Sequence, residues 1–182
     1  MIKIVWKGFM DYEKEEKWLN HMAEKGWNFR KYSFLRYTFE KGTPGEYIYR
    51  MELLGKSPDN EESKAYVDFM KETSVEVVDT YQRWIYFRKN KSEGTFDLYT
   101  DYDSRIKFYK RLITFIGPLI LVNLFAAIYN LYLGLFIGHE QGFYGNAYVS
   151  IISWAVTIVL IKMAVSYMTK IRKMEKERQL YE

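Results

Sequence analysis

The side chains that most often carry catalysis are scarce in this sequence. It holds no cysteine and only two histidines, His21 and His139. Disulfides, thiol catalysis and cysteine-ligated metals are therefore excluded, and no His-based zinc cage or Ser-His-Asp arrangement can be built around the lone His21 of the charged N-terminal part. Phosphate-cradling glycine loops and the HExxH zinc pattern are missing as well. Carboxylates cluster at Glu13, Glu15 and Glu16 and again at Asp59, Glu61 and Glu62. Both clusters open helical patterns, where the helix dipole favours negative charge, so they are expected to be solvated helix starts rather than acid–base pairs. The sequence thus predicts no enzyme, no catalytic residue, no metal site and no cofactor.

Aromatic residues are the abundant resource: 17 Tyr, 12 Phe and 5 Trp. Most are expected in a core or at a membrane interface. Strand alternation sets Tyr32, Arg36, Arg50, Trp84, Tyr86 and Arg88, with Arg30 and Glu52, on one sheet face. Rings and guanidinium groups together can hold a planar or anionic small ligand, or a protein partner. The competing expectation is that this face is covered by the juxtamembrane segment or rests on lipid headgroups.

The elements that would position these residues follow from periodicity. Ile2 to Trp6 is β-rich. Asp11 caps a helix whose Trp18, Leu19, Met22 and Ala23 form one stripe, with Gly26 as its stop. Extended runs cover Trp27 to Phe34, Leu35 to Lys41 and, after the turn signal Thr43-Pro44-Gly45-Glu46, Tyr47 to Leu53. Ser57-Pro58-Asp59 opens a second helix with Tyr66, Val67 and Met70 inward. Val75 to Thr80 and Trp84 to Arg88 are extended again, and a short strand is expected around Phe96 to Tyr99.

Shifting the chain by 48 residues superposes Asp11 to Lys41 on Asp59 to Lys89, with Asp11, Glu13, Met22, Glu24, Phe39 and Lys41 meeting identical residues. This suggests a duplicated strand-helix-strand-strand unit. The expected fold class is α+β: an antiparallel sheet of about six strands with both helices on one face. Tyr37, Phe39, Met51, Leu53, Ile85 and Phe87 should point at those helices.

Beyond Arg111 the character changes. Leu112 to Ile137 contains no charged residue, and at about 1.5 Å per residue it exceeds the roughly 30 Å hydrocarbon core. A second run reaches Thr169 with Lys162 as its one interruption, read as an anchor whose stem lets the ammonium reach the interface. Small and polar residues recur at helical spacing at Asn123, Ala127, Asn130 and Gly134, and at Ser150, Ser153 and Thr157, which suits close helix packing. Gly117-Pro118 is expected to kink the first span, and Gly134-x-x-x-Gly138 is a weak dimer signal. The resulting divisions are a domain at 1–103, a juxtamembrane helical linker at 104–111, spans at 112–137 and 147–169, an external loop at 138–146 and a basic tail at 170–182.

Lys107, Lys110 and Arg111 precede the first span, and Lys170, Arg172, Lys173, Lys176 and Arg178 follow the second, while 138–146 has no Lys or Arg. Lysine and arginine bias of this kind puts both termini on the cytoplasmic side of a cell membrane. The apolar start of the chain is too short for a signal peptide. Residues 1–111 hold 21 Lys and Arg against 19 Asp and Glu. The isoelectric point near 9.0 therefore marks no clustered basic surface, and nucleic-acid binding is not expected.

The stretches EKEEKWLNHMAEKGW, FLRYTFEKGTPGEYIYR, WIYFRK and DLYTDYDSRIKFYKRL, with PGEY-x-YR the most specific part, resemble a bacterial membrane-protein family catalogued as domain of unknown function twenty-eight twelve. The resemblance covers nearly the whole chain. It implies a membrane protein, often encoded near PadR-type regulators, with no catalytic residue to carry over. The strand-helix-strand-strand plan is also similar in topology to gyrase-inhibitor-like small-molecule-binding proteins, and topology alone does not fix function.

Two functional classes remain. One is a membrane-anchored, non-enzymatic sensor or regulatory module whose cytoplasmic domain binds a ligand or signal; the other is an accessory subunit docking on another membrane protein such as a transporter. Neither reading sets an oligomeric state. The topology has a direct check: single cysteines placed at Gln141 and Ser92 should react differently with an impermeant thiol reagent in intact cells. Labelling only at Gln141 is expected, and labelling of Ser92 from outside would reverse the assignment.

Overall fold

A computed structural model describes residues 1–137 and 144–181. His139, Glu140, Gly142 and the Gly138 end of the GxxxG match lie outside the described residues. The chain divides into two compact units, Met1–Thr100 and a second beginning at Asp101.

In the first unit the order is β1 (Ile2–Trp6), α1 (Tyr12–Glu24), β2 (Trp27–Ser33), β3 (Arg36–Lys41), β4 (Tyr47–Leu53), α2 (Glu61–Glu72), β5 (Glu76–Tyr81) and β6 (Trp84–Asn90). Asp11 caps α1 by accepting from the Glu13 N–H at 3.0 Å, and Asn60 does the same for α2 through Glu62 at 3.1 Å. Each helix stops at a residue in the left-handed region: Gly26, with φ of 75°, after α1 and Ser74, with φ of 61°, after α2. A Cβ on Gly26 would also come within 3.0 Å of the Gly42 carbonyl oxygen, so glycine is required there twice over.

The strands form two antiparallel sheets, ordered β1-β3-β2 and β4-β6-β5, instead of one sheet of six. Register explains why the expected single helix-bearing face also fails. Met51 pairs with Tyr86 and Leu53 with Trp84, whereas Arg50 pairs with Phe87 and Glu52 with Ile85. Directly paired residues share a face, so Met51 and Leu53 lie opposite Ile85 and Phe87. The second sheet is accordingly buried on both sides. Tyr49, Met51 and Tyr86 join Leu19, Met22, Phe29, Tyr37 and Phe39 in one core, and Ile85 and Phe87 join Leu54, Met70, Val75 and Phe96 in another. Phe96 to Tyr99 form no strand; Phe96 is instead spent filling the second core.

One side-chain device ties α1 to this framework. Tyr49 lies on the outer edge strand β4, where its backbone would otherwise face no neighbouring strand. Asn20 of α1 accepts from the Tyr49 N–H at 2.8 Å and donates to the Tyr49 carbonyl at 3.0 Å, and Glu16 accepts from the Met51 N–H at 2.9 Å. The helix thereby completes the pairing that a further strand would supply.

The second unit contains α3 (Tyr102–Tyr132), a π-helical turn at Leu133–Ile137 and α4 (Gly145–Tyr181). Both helices are long and apolar enough to cross a membrane, with mean hydropathies of 2.2 and 2.0 over their most apolar windows. Large apolar side chains such as Leu121, Val122, Phe125, Ile151 and Ile152 stay exposed along them. Their mutual seam uses the small residues expected. Ser150 donates to the Ala127 carbonyl at 2.8 Å, both residues being fully buried, and a Cβ on Gly134 would fall 2.6 Å from the Ala147 nitrogen. Asn123 and Asn130 instead donate within their own helix, to Leu119 and Ala126. Helix α3 continues through Pro118.

Removing the amide of Asn20 should show how much the edge closure contributes. Asn20→Ala leaves the Tyr49 N–H without its partner, while the Tyr49 carbonyl keeps the Arg50 guanidinium at 3.1 Å, and about 1–3 kcal/mol of stability is expected to go. Thermal unfolding of the full chain in detergent, followed by tryptophan fluorescence, measures it; an unchanged midpoint would mean water replaces the amide without loss.

Candidate functional site

Helix α1 turns three polar residues toward the sheets. Two of them, Glu16 and Asn20, serve the β4 edge. The third, Glu15, meets the side chains of both sheets at once: the Tyr37 hydroxyl of β3 donates to its Oε1 at 2.7 Å and the Tyr86 hydroxyl of β6 donates to the same oxygen at 2.9 Å. Among the described residues Glu15 makes no ion pair, so this half-buried carboxylate is partly withdrawn from water with no countercharge among them. Burial pushes its pKa up, and the two phenol hydrogen bonds offset only part of that rise. The phenols are shifted upward as well. Burial first, and then the Glu15 charge, hold Tyr37 and Tyr86 far above the usual tyrosine range, so both remain donors at any accessible pH.

Rings surround this carboxylate. Tyr32 stands 4.8 Å from Tyr37, 4.9 Å from Tyr81 and 5.9 Å from Tyr86, centroid to centroid, and Tyr12 lies 6.1 Å from Trp84. Tyr37 and Tyr86 are buried, whereas Tyr12, Tyr32, Tyr81 and Trp84 are half-buried, so the outer rings reach solvent while the inner pair does not. The arrangement gathers aromatic rings about a carboxylate, a chemistry that favours a positively charged or strongly hydrogen-bond-donating guest.

A neighbouring carboxylate shows the contrast. Glu16 is also raised in pKa by burial, but Arg50 stands 3.4 Å away and opposes the rise. Glu52, on the α2 side of the second sheet, is 3% exposed and accepts from Tyr66 at 2.5 Å and Tyr99 at 2.6 Å, stitching α2 and the chain after β6 to β4. A cleft of about 350 Å3 also opens on that side, floored by Leu54, Val67, Val77 and Ile85, with Lys64, Asp68 and Lys71 among its lining residues. Its charges are partly spent: Lys71 pairs with Asp68 at 2.8 Å. Among the described residues no group of three or more His, Asp or Glu is arranged to hold a metal ion.

Of the six residues read from alternation, the structure brings three together. Tyr32, Trp84 and Tyr86 all belong to the Glu15 cluster or its walls. They are not on an open face. A bulge between Phe29 and Lys31 resets the parity of β2, so Tyr32 pairs with Tyr37 and joins the core side. Tyr86 is 3% exposed because the register sets it beside Met51. The three arginines do not converge. Arg36 is exposed on β3 opposite Trp6. Arg50 lies between Glu16 and Asp97, at 3.4 and 3.1 Å. Arg88 pairs with Glu76 at 2.7 Å and covers the Tyr47 ring at 4.2 Å. A guanidinium platform for an anion is therefore not formed. Glu15 was the residue that sequence reasoning misplaced. Its membership of an acidic run hid it, although the i, i+3 pair Tyr12 and Glu15 shares a helix face with Trp18 and Leu19.

A protein family described as Protein of unknown function (DUF2812) matches residues 11–121, more than half of the chain. No curated protein and no solved structure matches it.

The Glu15 environment makes a signed prediction. A carboxyl whose folded-state pKa is raised contributes stability that is fully present below its ordinary value near 4.5 and is lost as pH rises through the raised value. At neutral pH the charged form therefore costs stability. Glu15→Gln keeps an oxygen that accepts from both phenols and carries no charge, so its melting temperature should exceed wild type at pH 7, with the difference shrinking as pH falls toward 4.5. A variant less stable than wild type at pH 7 would show that the charge itself holds the two sheets together.

Proposed function

We propose, from the premise that this chain belongs to the family described as Protein of unknown function (DUF2812), that it is a membrane-anchored, non-enzymatic binding module whose ligand is an organic cation received by the Glu15 aromatic box. The observation that carries this reading is a carboxylate without a countercharge among the described residues, held by Tyr37 and Tyr86 among half-buried rings. A half-buried carboxylate whose pKa is raised by burial is relieved by a cation that pairs it, and such perturbed groups cluster at functional sites. Aromatic faces are the chemistry that receives a desolvated ammonium.

In this reading the helices hold the module on the membrane as a two-span hairpin with both termini cytoplasmic, a topology supported by the lysines and arginines that flank the spans. The domain is further read as two copies of one strand-helix-strand-strand unit. Supporting this, the sheet orders β1-β3-β2 and β4-β6-β5 correspond, Gly26 and Ser74 stand 48 positions apart, and so do the register shifts at Phe29/Lys31 and Val77/Asp79.

Titration of the full chain in detergent with benzyltrimethylammonium, followed by tryptophan fluorescence, tests the ligand class. Saturable binding is expected, weakened about tenfold or more in Glu15→Gln and unchanged in Arg36→Ala, while benzoate should give no saturation. Equal binding of benzoate, or no saturable response to the cation, would remove the proposal.

A further inference from the structure

We infer that the free edge of β1 is a self-association surface, on which a second copy of this chain pairs its own β1 antiparallel about Ile4. This inference does not depend on the Glu15 site.

The backbone of β1 is committed on one side only. Met1 accepts from the Lys41 N–H at 3.0 Å and Lys7 donates to the Leu35 carbonyl at 2.8 Å, which makes the odd-numbered residues the ones bonded to β3. Antiparallel pairing then turns the N–H and C=O groups of Ile2, Ile4 and Trp6 outward. The same three residues carry exposed apolar side chains, at 55%, 54% and 69% of full exposure. Natural sheets usually blunt such an edge with a lysine, a proline or a covering element. Here Lys3 lies over the Trp27 ring at 5.0 Å, and Lys7 lies 4.8 Å from the rings of Phe9 and Trp18, so both are drawn away from the edge. The corresponding edge of the second sheet is closed by Asn20 and Glu16; among the described residues nothing does this for β1.

What fits the edge is indicated by its own sequence. A twofold axis through Ile4 places Ile2 across from Trp6 of the second copy, Ile4 across from Ile4, and Lys3 across from Val5. Apolar side chains then meet apolar ones on the outer face, and Lys3 meets Val5 instead of a like charge. All three outward-facing residues fall at hydrogen-bonded positions in this register, giving about six backbone hydrogen bonds across the junction. A strand of another protein would need to match this pattern; a second copy does so by symmetry.

The absence of cysteine makes the register readable by cross-linking. In membranes holding the full chain, Ile4→Cys should form a disulfide dimer under mild oxidation, because the paired Cα atoms would lie about 5.5 Å apart. Ile2→Cys and Trp6→Cys should each cross-link about tenfold less alone, yet together when the two variants are co-expressed. Ile4→Pro, allowed on an edge strand, should give a monomer in detergent by light scattering with its unfolding midpoint kept. Cross-linking that is equal at all three positions would overturn the inference, since it would reflect crowding alone. So would a wild-type chain that stays monomeric while anionic phosphatidylglycerol vesicles shield Trp6, which would make the edge a lipid-binding surface.

Discussion

The first unit depends on the closure of the β4 edge by α1. A helix laid along a strand cannot offer its own backbone, which is already spent internally, so side chains must stand in for a neighbouring strand. Asn20 has a side chain that both accepts and donates with amide geometry, and it does both to a single residue, Tyr49. Glu16 adds the next outward N–H along the strand, that of Met51. These contacts fix the rotation of α1 about its axis as well as its position. With Glu16 and Asn20 held at the edge, Glu15 has to turn in between the sheets, and Leu19 has to enter the core.

Much of the fold is legible in the sequence because it is local. The helix from Asp11, its stop at Gly26, the turn at Thr43 to Glu46 and the alternating strands follow from capping, φ preference and period. The two membrane-length helices follow from length and hydropathy alone. What alternation does not reveal is parity across a bulge. One extra residue at Phe29/Lys31 moves Tyr32 from one face to the other, and no composition signal marks the spot. Nor does it reveal which strands share a sheet. The pairing of Met51 with Tyr86 shows that both faces of the second sheet are covered, and this follows from register, a non-local property.

The candidate site was hidden for a related reason. Glu15 sits in a charged helix start that reads as solvated, and only the arrival of β3 and β6 makes it a half-buried carboxylate bonded to two phenols. Glu52 makes a useful comparison within the same molecule. It too accepts from two phenols, but it is enclosed and joins α2 and the chain after β6 to β4, as a structural stitch does. Glu15 differs in having half-exposed rings around it. The difference between a structural stitch and the proposed binding site thus lies less in the carboxylate than in how far its surroundings are closed.

The separation of the Glu15 partners along the chain has a kinetic consequence. Tyr37 is 22 residues away and Tyr86 is 71, so the first phenol is available from an early hairpin and the second only after β6 has been made and docked. Loop-closure entropy delays such distant contacts relative to local ones. During synthesis the carboxylate passes through a stage with one phenol and an open side, and the box closes only when nearly the whole first unit has emerged. The apolar helix α3 begins at Tyr102, shortly after that last strand. Completion of the Glu15 cluster and delivery of the first membrane-length helix are therefore adjacent events in the birth of the chain, and a delay in one falls in the time window of the other.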